Sequence, residues 1–137
     1  MLIASLALQI LFSHPSPTTL DWVARDPSYK AFFIQLQSAV RTGDRTTVAR
    51  LSAVPLRVNL GYGRFALYLR RRDIERDYNF IFSPAVRRAI LRQPPNEIWG
   101  RDQGVTLKLG EIWFDHQCLD RTCDRLGPVR IKAVNRR

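Results

Sequence analysis

Tyr29, Phe32, Phe33, Leu36 and Val40 recur three and four positions apart, the spacing that gathers side chains on one face of a helix. Asp26-Pro27 supplies a start for it. Asp is a favoured N-cap, and Pro suits the first helical position, where its missing N–H costs nothing. Gly43 supplies the stop, because glycine enters the left-handed conformation without penalty. Asp44 then caps a second, shorter helix with Val48 and Leu51 on its buried side. The tight turn between the two predicts helices packed as neighbours.

The period then changes to two. Val54, Leu56, Val58 and Leu60 alternate with Pro55, Arg57 and Asn59, which predicts a half-buried strand. Pro55 belongs near its start or on an edge, because it cannot donate to a ladder. Gly61-Tyr62-Gly63 is a turn. Phe65, Leu67 and Leu69 resume the alternation as a returning strand, although the run also fits a helix. Asp73 is expected to cap a helix with Ile74, Tyr78, Ile81 and Phe82 on one face. Ser83-Pro84 restarts it, Val86, Ala89 and Ile90 continue its burial, and Pro94-Pro95 ends it. This predicts a kinked or two-piece helix of roughly 20 residues.

The best-patterned strand covers residues 105–114. Val105, Leu107 and Leu109 hold odd positions, whereas Ile112 and Phe114 hold even ones. Gly110 sits where the phase changes, which predicts a β-bulge in one long, bent strand. Arg101-Asp102-Gln103-Gly104 is a turn leading into it, and residues 129–134 form its return strand. With Cys118 opposite Cys123, the register sets Ile112 against Val129 and turns Arg130 and Lys132 to the other face. Gly127-Pro128 should add a second irregularity.

Composition bounds this picture. A chain of 137 residues reads as one domain by length. With 45% hydrophobic and 10% aromatic residues, its body is not disordered. Residues 2–12 are apolar except for Ser5 and Gln9. They are too few to span a bilayer as a helix, and they match the apolar core of a signal peptide. No Lys or Arg precedes them, and residues 14–19 offer no small-residue cleavage site. A retained anchor or a mis-assigned start codon are the alternatives. The division expected is therefore a leader and linker at 1–19 and one α+β domain at 20–137. The expected location is periplasmic or secreted, or cytoplasmic if the leader is not a signal.

The only cysteines, Cys118 and Cys123, have three readings. A disulfide would close a small loop, contributing about 2 kcal/mol on a chain-entropy model. Free thiols are the second. A metal site is the third, but even with His116 the pair supplies three ligands where zinc takes four, so no metal and no cofactor are expected. Disulfide and leader point to the same oxidising compartment.

The net charge is +10, from 22 basic and 12 acidic residues, and 19 of the basic residues are arginine. The densest stretch holds Arg70, Arg71, Arg72, Arg76, Arg87, Arg88 and Arg92. Such a face could contact phosphates or an anionic envelope component. Asp73, Glu75 and Asp77 interrupt it, and it lacks the interleaved exposed aromatics of single-strand binders. A self-paired, solvated face is the plainer reading, and nucleic acid is not the favoured partner. No nucleophile elbow or phosphate loop occurs.

Two helices, a strand, a longer helix and a closing set of bent strands together resemble the NTF2-like (cystatin-like) superfamily, in particular its small exported bacterial members. The residues that carry the likeness are the helix ending at Gly43-Asp44, Val54-Pro55-Leu56, Tyr78 with Ile81-Phe82, Leu109-Gly110-Glu111-Ile112-Trp113-Phe114, and Ile131-Lys132-Ala133-Val134-Asn135. The resemblance implies an α+β cone: a bent antiparallel sheet packed against about three helices around an apolar pocket. That fold hosts enzymes and binding modules alike. Phe33, Tyr78, Glu111 and Trp113 are the candidate pocket residues. Glu111 and Asp77 are the candidate acid/base groups, while His14 and His116 fall outside the expected pocket. The function expected is an exported, non-catalytic module for a small ligand or a protein partner, with a homodimer left open. A pocket enzyme using a buried carboxylate and a basic polyanion binder are the alternatives.

Overall fold

The computed structural model describes residues 21–136. The predicted leader lies outside them. A short helix α1 (Asp21–Arg25) leads into Asp26, whose carboxylate accepts from the Ser28 backbone N–H at 3.0 Å and so caps α2 (Pro27–Thr42). Tyr29, Phe32, Phe33, Leu36 and Val40 are all buried on one side of α2. Gly43 ends the helix with φ 67°, and Asp44 caps α3 (Arg45–Arg50) by accepting from the Thr47 N–H at 3.1 Å.

Six strands form one sheet: β1 (Ser52–Gly61), β2 (Arg64–Tyr68), β3 (Trp99–Arg101), β4 (Gly104–Thr106), β5 (Ile112–Cys118) and β6 (Leu126–Asn135), in the order β2-β1-β6-β5-β4-β3. Every pairing is antiparallel except β1 with β6, so the sheet is mixed. The parallel pairing follows from the long middle of the chain, which crosses over between these strands. That crossover holds α4 (Arg71–Arg76), α5 (Tyr78–Ile81) and α6 (Pro84–Arg92), then a 3₁₀ turn at Pro95–Glu97. The molecule is thus an α+β fold with a bent sheet packed on helices. The β1–β6 ladder skips from Ser52 to Arg57, and Pro55, which has no N–H to donate, sits in that gap.

The core fills the space between the helices and one sheet face. Val58, Val134 and Ile112 form a fully buried row across three strands. Phe114 lies between the rings of Phe33, stacked at 6.0 Å, and Phe32 at 5.2 Å. Gln37 is buried too, and its side-chain amide donates to the Ile90 and Gln93 carbonyls, which ties α6 to α2.

Three expectations need correction. Residues 105–114 are not one bulged strand. The chain reverses there, so that Val105 of β4 faces Phe114 of β5 and Thr106 faces Trp113. Gly110 serves that turn with φ 73°. A glycine at a phase change suits a reversal as well as a bulge. The register is also displaced: Ile112 faces Val134, and His116 faces Val129. Cys123 is not a rung of the ladder but part of the loop beyond it. Asp120 organises that loop by accepting from the N–H groups of Asp124 and Arg125. Third, α4 starts three residues early, with Arg70 at the cap position and Asp73 in the first turn, and the middle helix has three pieces. The returning strand is present as β2, with Phe65 and Leu67 turned outward and Ala66 and Tyr68 inward.

The restart at Ser83-Pro84 is as expected, with Ser83 accepting from the Val86 N–H at 3.4 Å. So is the irregularity opposite Gly127-Pro128. The Cys118–Cys123 disulfide is formed, with a Cα–Cα distance of 4.7 Å. No helix among the described residues is long and apolar enough to cross a membrane.

Phe114 tests the packing. Phe114→Ala is expected to cost about 3–5 kcal/mol in urea unfolding. A loss below about 1 kcal/mol would show that its contacts with Phe32 and Phe33 do not anchor the core.

Candidate functional site

A groove of about 1080 Å³ runs between α1, the first half of α2 and the 3₁₀ turn. Val23, Ala31, Ile34, Ile98 and Trp99 give it apolar walls, and Asp26, Lys30 and Glu97 stand among them as charged groups. Ile34 is on the side of α2 away from the core and is 48% exposed. Gly100, beside the lining residue Trp99, governs how closely α1 approaches β3. A Cβ at that position would collide with the Trp22 ring and with Val23, so only glycine lets α1 lie this close to β3. Trp22 in turn meets Tyr29 edge-on at 5.6 Å.

Next to Asp26 is a polar cluster that joins α2 to β5. His116 directs Nδ1 at the Gly127 carbonyl, 2.7 Å away, and Nε2 at the Asp26 carboxylate, also 2.7 Å away. Two nitrogens facing two acceptors favour the doubly protonated ring. Burial acts to lower the His116 pKa, but the Gly127 carbonyl and the Asp26 and Asp115 charges outweigh it, and the net shift is upward. Asp26 is held below the usual carboxylate range, chiefly by the Ser28 hydroxyl, against opposing burial and with help from His116. Tyr29 donates its hydroxyl to Asp115 at 2.6 Å, and burial and that carboxylate raise the phenol's pKa.

Ser28, His116 and Asp26 do not form a hydrolytic triad. Ser28 Oγ lies 3.1 Å from Nε2, the same nitrogen that faces Asp26, and its hydroxyl donates to Asp26. Nδ1 is directed at a backbone carbonyl instead of an orienting carboxylate. The cluster is an ion-paired clasp on a helix start.

None of the four pocket residues read from the sequence lines the groove. Phe33 is fully buried against Phe114, whereas Trp113 points to the opposite sheet face and meets Trp99 at 6.2 Å. Tyr78 is buried, stacks on Phe82 and leaves its hydroxyl without a partner. Glu111 lies in the β4–β5 turn and accepts from the Leu109 N–H at 3.3 Å. Asp77 binds Arg76 and receives the Tyr68 hydroxyl at 2.9 Å. Both partners lower its pKa, while burial and Asp77 push Tyr68 up to about 12. A carboxylate held ionised in this way is poorly suited to general base work near neutral pH.

The arginine patch divides. Arg70 and Arg76 bind Asp73, and Arg76 also binds Asp77. Arg87 donates to the Phe82 carbonyl and to Asn79. Arg71 instead lies near Arg130, whose pKa burial lowers, with Arg71 and Arg50 adding like charge. Arg72 and Arg88 are exposed.

Sequence reading missed His116, Asp115, Ser28 and Tyr29 as a cluster. The Asp26 cap was legible, but its second partner lies 90 positions away. Among the described residues, no group of three or more His, Cys, Asp or Glu is placed to hold a metal ion. No protein-family model, curated protein or solved structure matches the chain.

The clasp predicts a pH dependence. His116, with its pKa raised on folding, stabilises fully below its unfolded value near 6.5, and this is lost as pH rises through the folded value. Asp26, with its pKa lowered, stabilises above about 3.9, and this is lost as pH falls through its folded value. The pair's contribution is therefore complete between about pH 4 and 6.5. His116→Gln should lower stability at pH 5.5 by about 1 kcal/mol and flatten the decline between pH 6 and 8. Parallel curves for wild type and variant in urea unfolding would refute the clasp.

Proposed function

We propose that this chain is a non-catalytic binding module of an oxidising, extracytoplasmic compartment, built on an NTF2-like scaffold. Its ligand is apolar or amphipathic and sits in the groove beside α2. The carrying observation is the groove itself: about 1080 Å³, walled by Val23, Ala31, Ile34, Ile98 and Trp99. That is the size and lining of a small-molecule site. The compartment is supported by the Cys118–Cys123 disulfide together with the apolar pattern of residues 2–12.

The rival readings have less support. Asp77 is engaged with Arg76 and Tyr68, and Glu111 with its own turn, so neither faces the groove as an acid or base. Arg70 and Arg76 are engaged with Asp73 and Asp77, which removes the densest element of a polyanion face.

The test is a titration with the dye 1-anilinonaphthalene-8-sulfonate. Wild type should bind it with enhanced, blue-shifted emission. Ala31→Trp fills the groove from an exposed position and should weaken binding at least about tenfold with an unchanged melting curve. Unchanged binding in the variant would remove the groove as the site. For the compartment, protein recovered from its native host with alkylating agent present should carry Cys118 and Cys123 oxidised. Alkylated thiols on both would place the protein in a reducing location.

A further inference from the structure

β2 is the outermost strand of the sheet. Among the described residues, it pairs with β1 on one side and with no strand on the other. The opposite edge strand, β3, has three residues and offers little to a partner. β2 has five, Arg-Phe-Ala-Leu-Tyr, with no proline and one charge, Arg64. Sheet edges are usually blunted by lysines, prolines or bulges, and β2 has little of this protection. Its outward side chains are apolar and largely exposed, Phe65 at 48% and Leu67 at 52%, and Leu69 just beyond the strand is 69% exposed. A free backbone edge beside alternating apolar side chains is the template for strand addition. The main chain then supplies hydrogen bonds, and alternate side chains supply selectivity. At the end of β2 lies a hollow of about 380 Å³ formed by Leu67, Leu69, Arg70 and Arg76 among others, roomy enough for a side chain.

Charge identifies the occupant. The Arg57 guanidinium lies 3.9 Å from the centre of the Phe65 ring, and Arg64 opens the strand. Among the described residues, neither forms an ion pair. Arg70, just beyond the far end, is paired with Asp73. A second copy added along this edge would join two chains of net charge +10, each bringing its own Arg57 and Arg64. A segment bearing carboxylates meets no such repulsion.

We propose that β2 is a docking edge for an extended, acidic segment of another protein. The segment adds to the sheet as a seventh strand. Its apolar residues cover Phe65 and Leu67, and its carboxylates reach Arg57 and Arg64. This is independent of the groove, which lies along α2 and the 3₁₀ turn.

The probe is the fluorescein-labelled peptide Glu-Glu-Val-Thr-Val-Thr-Val-Glu-Glu, followed by anisotropy on the full chain. Saturable binding is expected. Leu67→Lys and Phe65→Thr alter exposed positions and should each weaken binding at least about tenfold while leaving the melting curve and dye binding in the groove unchanged. A peptide N-methylated at alternate residues should not bind, because it cannot complete a ladder. A peptide with Lys in place of Glu should bind at least about tenfold more weakly. The proposal is overturned by absence of saturable binding, by equal binding of the N-methylated or Lys-flanked peptide, or by unchanged binding in both variants. Self-association in sedimentation that Leu67→Lys abolishes would also overturn it, by assigning the edge to a second copy.

Discussion

The two halves of the sheet meet only along β6. On one side, the Ile131 N–H donates to the Leu51 carbonyl and the Arg136 N–H to Asn59, both at 2.9 Å. On the other, the Asn135 N–H reaches the Glu111 carbonyl at 2.8 Å, and the ladder continues down β5. The β1–β2 hairpin therefore joins β3, β4 and β5 through a strand that arrives last in the chain. Non-local pairing of this kind closes long loops before its contacts form. The apolar row Val58–Val134–Ile112 accompanies that closure, so the same strand organises backbone and core.

Local signals in the sequence were legible where their physics is local. Asp26, Asp44 and Ser83 cap helices because each side chain reaches an N–H two or three residues on. Gly43 takes the left-handed conformation that ends α2. The alternation of β1 survives as Leu56 and Val58 in the core. Register was not legible. A phase change at Gly110 is compatible with a bulge or a reversal, and only tertiary pairing separates them. The cysteine pair suggested a rung, but the disulfide closes a loop outside the ladder. β2 was legible as a returning strand but its facing was not: alternation shows that two faces differ, not which one is covered, and here the small Ala66 faces inward while Phe65 and Leu67 face out.

The site shows the same limit more sharply. Ranking residues by type favoured Glu111, Asp77 and Tyr78, each of which is held by neighbours that the fold supplies. The groove is lined instead by unremarked positions, such as Ala31 and Ile34 on the far side of α2, and Gly100 nearby admits Trp22 and Val23 of α1 by its lack of a side chain. His116, set aside as a hairpin-tip residue, is joined to Asp26 across the fold. The arginines likewise form no single stripe, because Asp73 and Asp77 divert two of them.

The position of the disulfide separates what is held covalently from what is held by packing. Cys118 takes part in the last rung before the loop, opposite Leu126, and Cys123 lies beyond it, both exposed. No core side chain depends on that bond. The bond joins the end of β5 to the loop beyond it, so its constraint falls on the exposed tip of the β5–β6 hairpin and not on the packed interior.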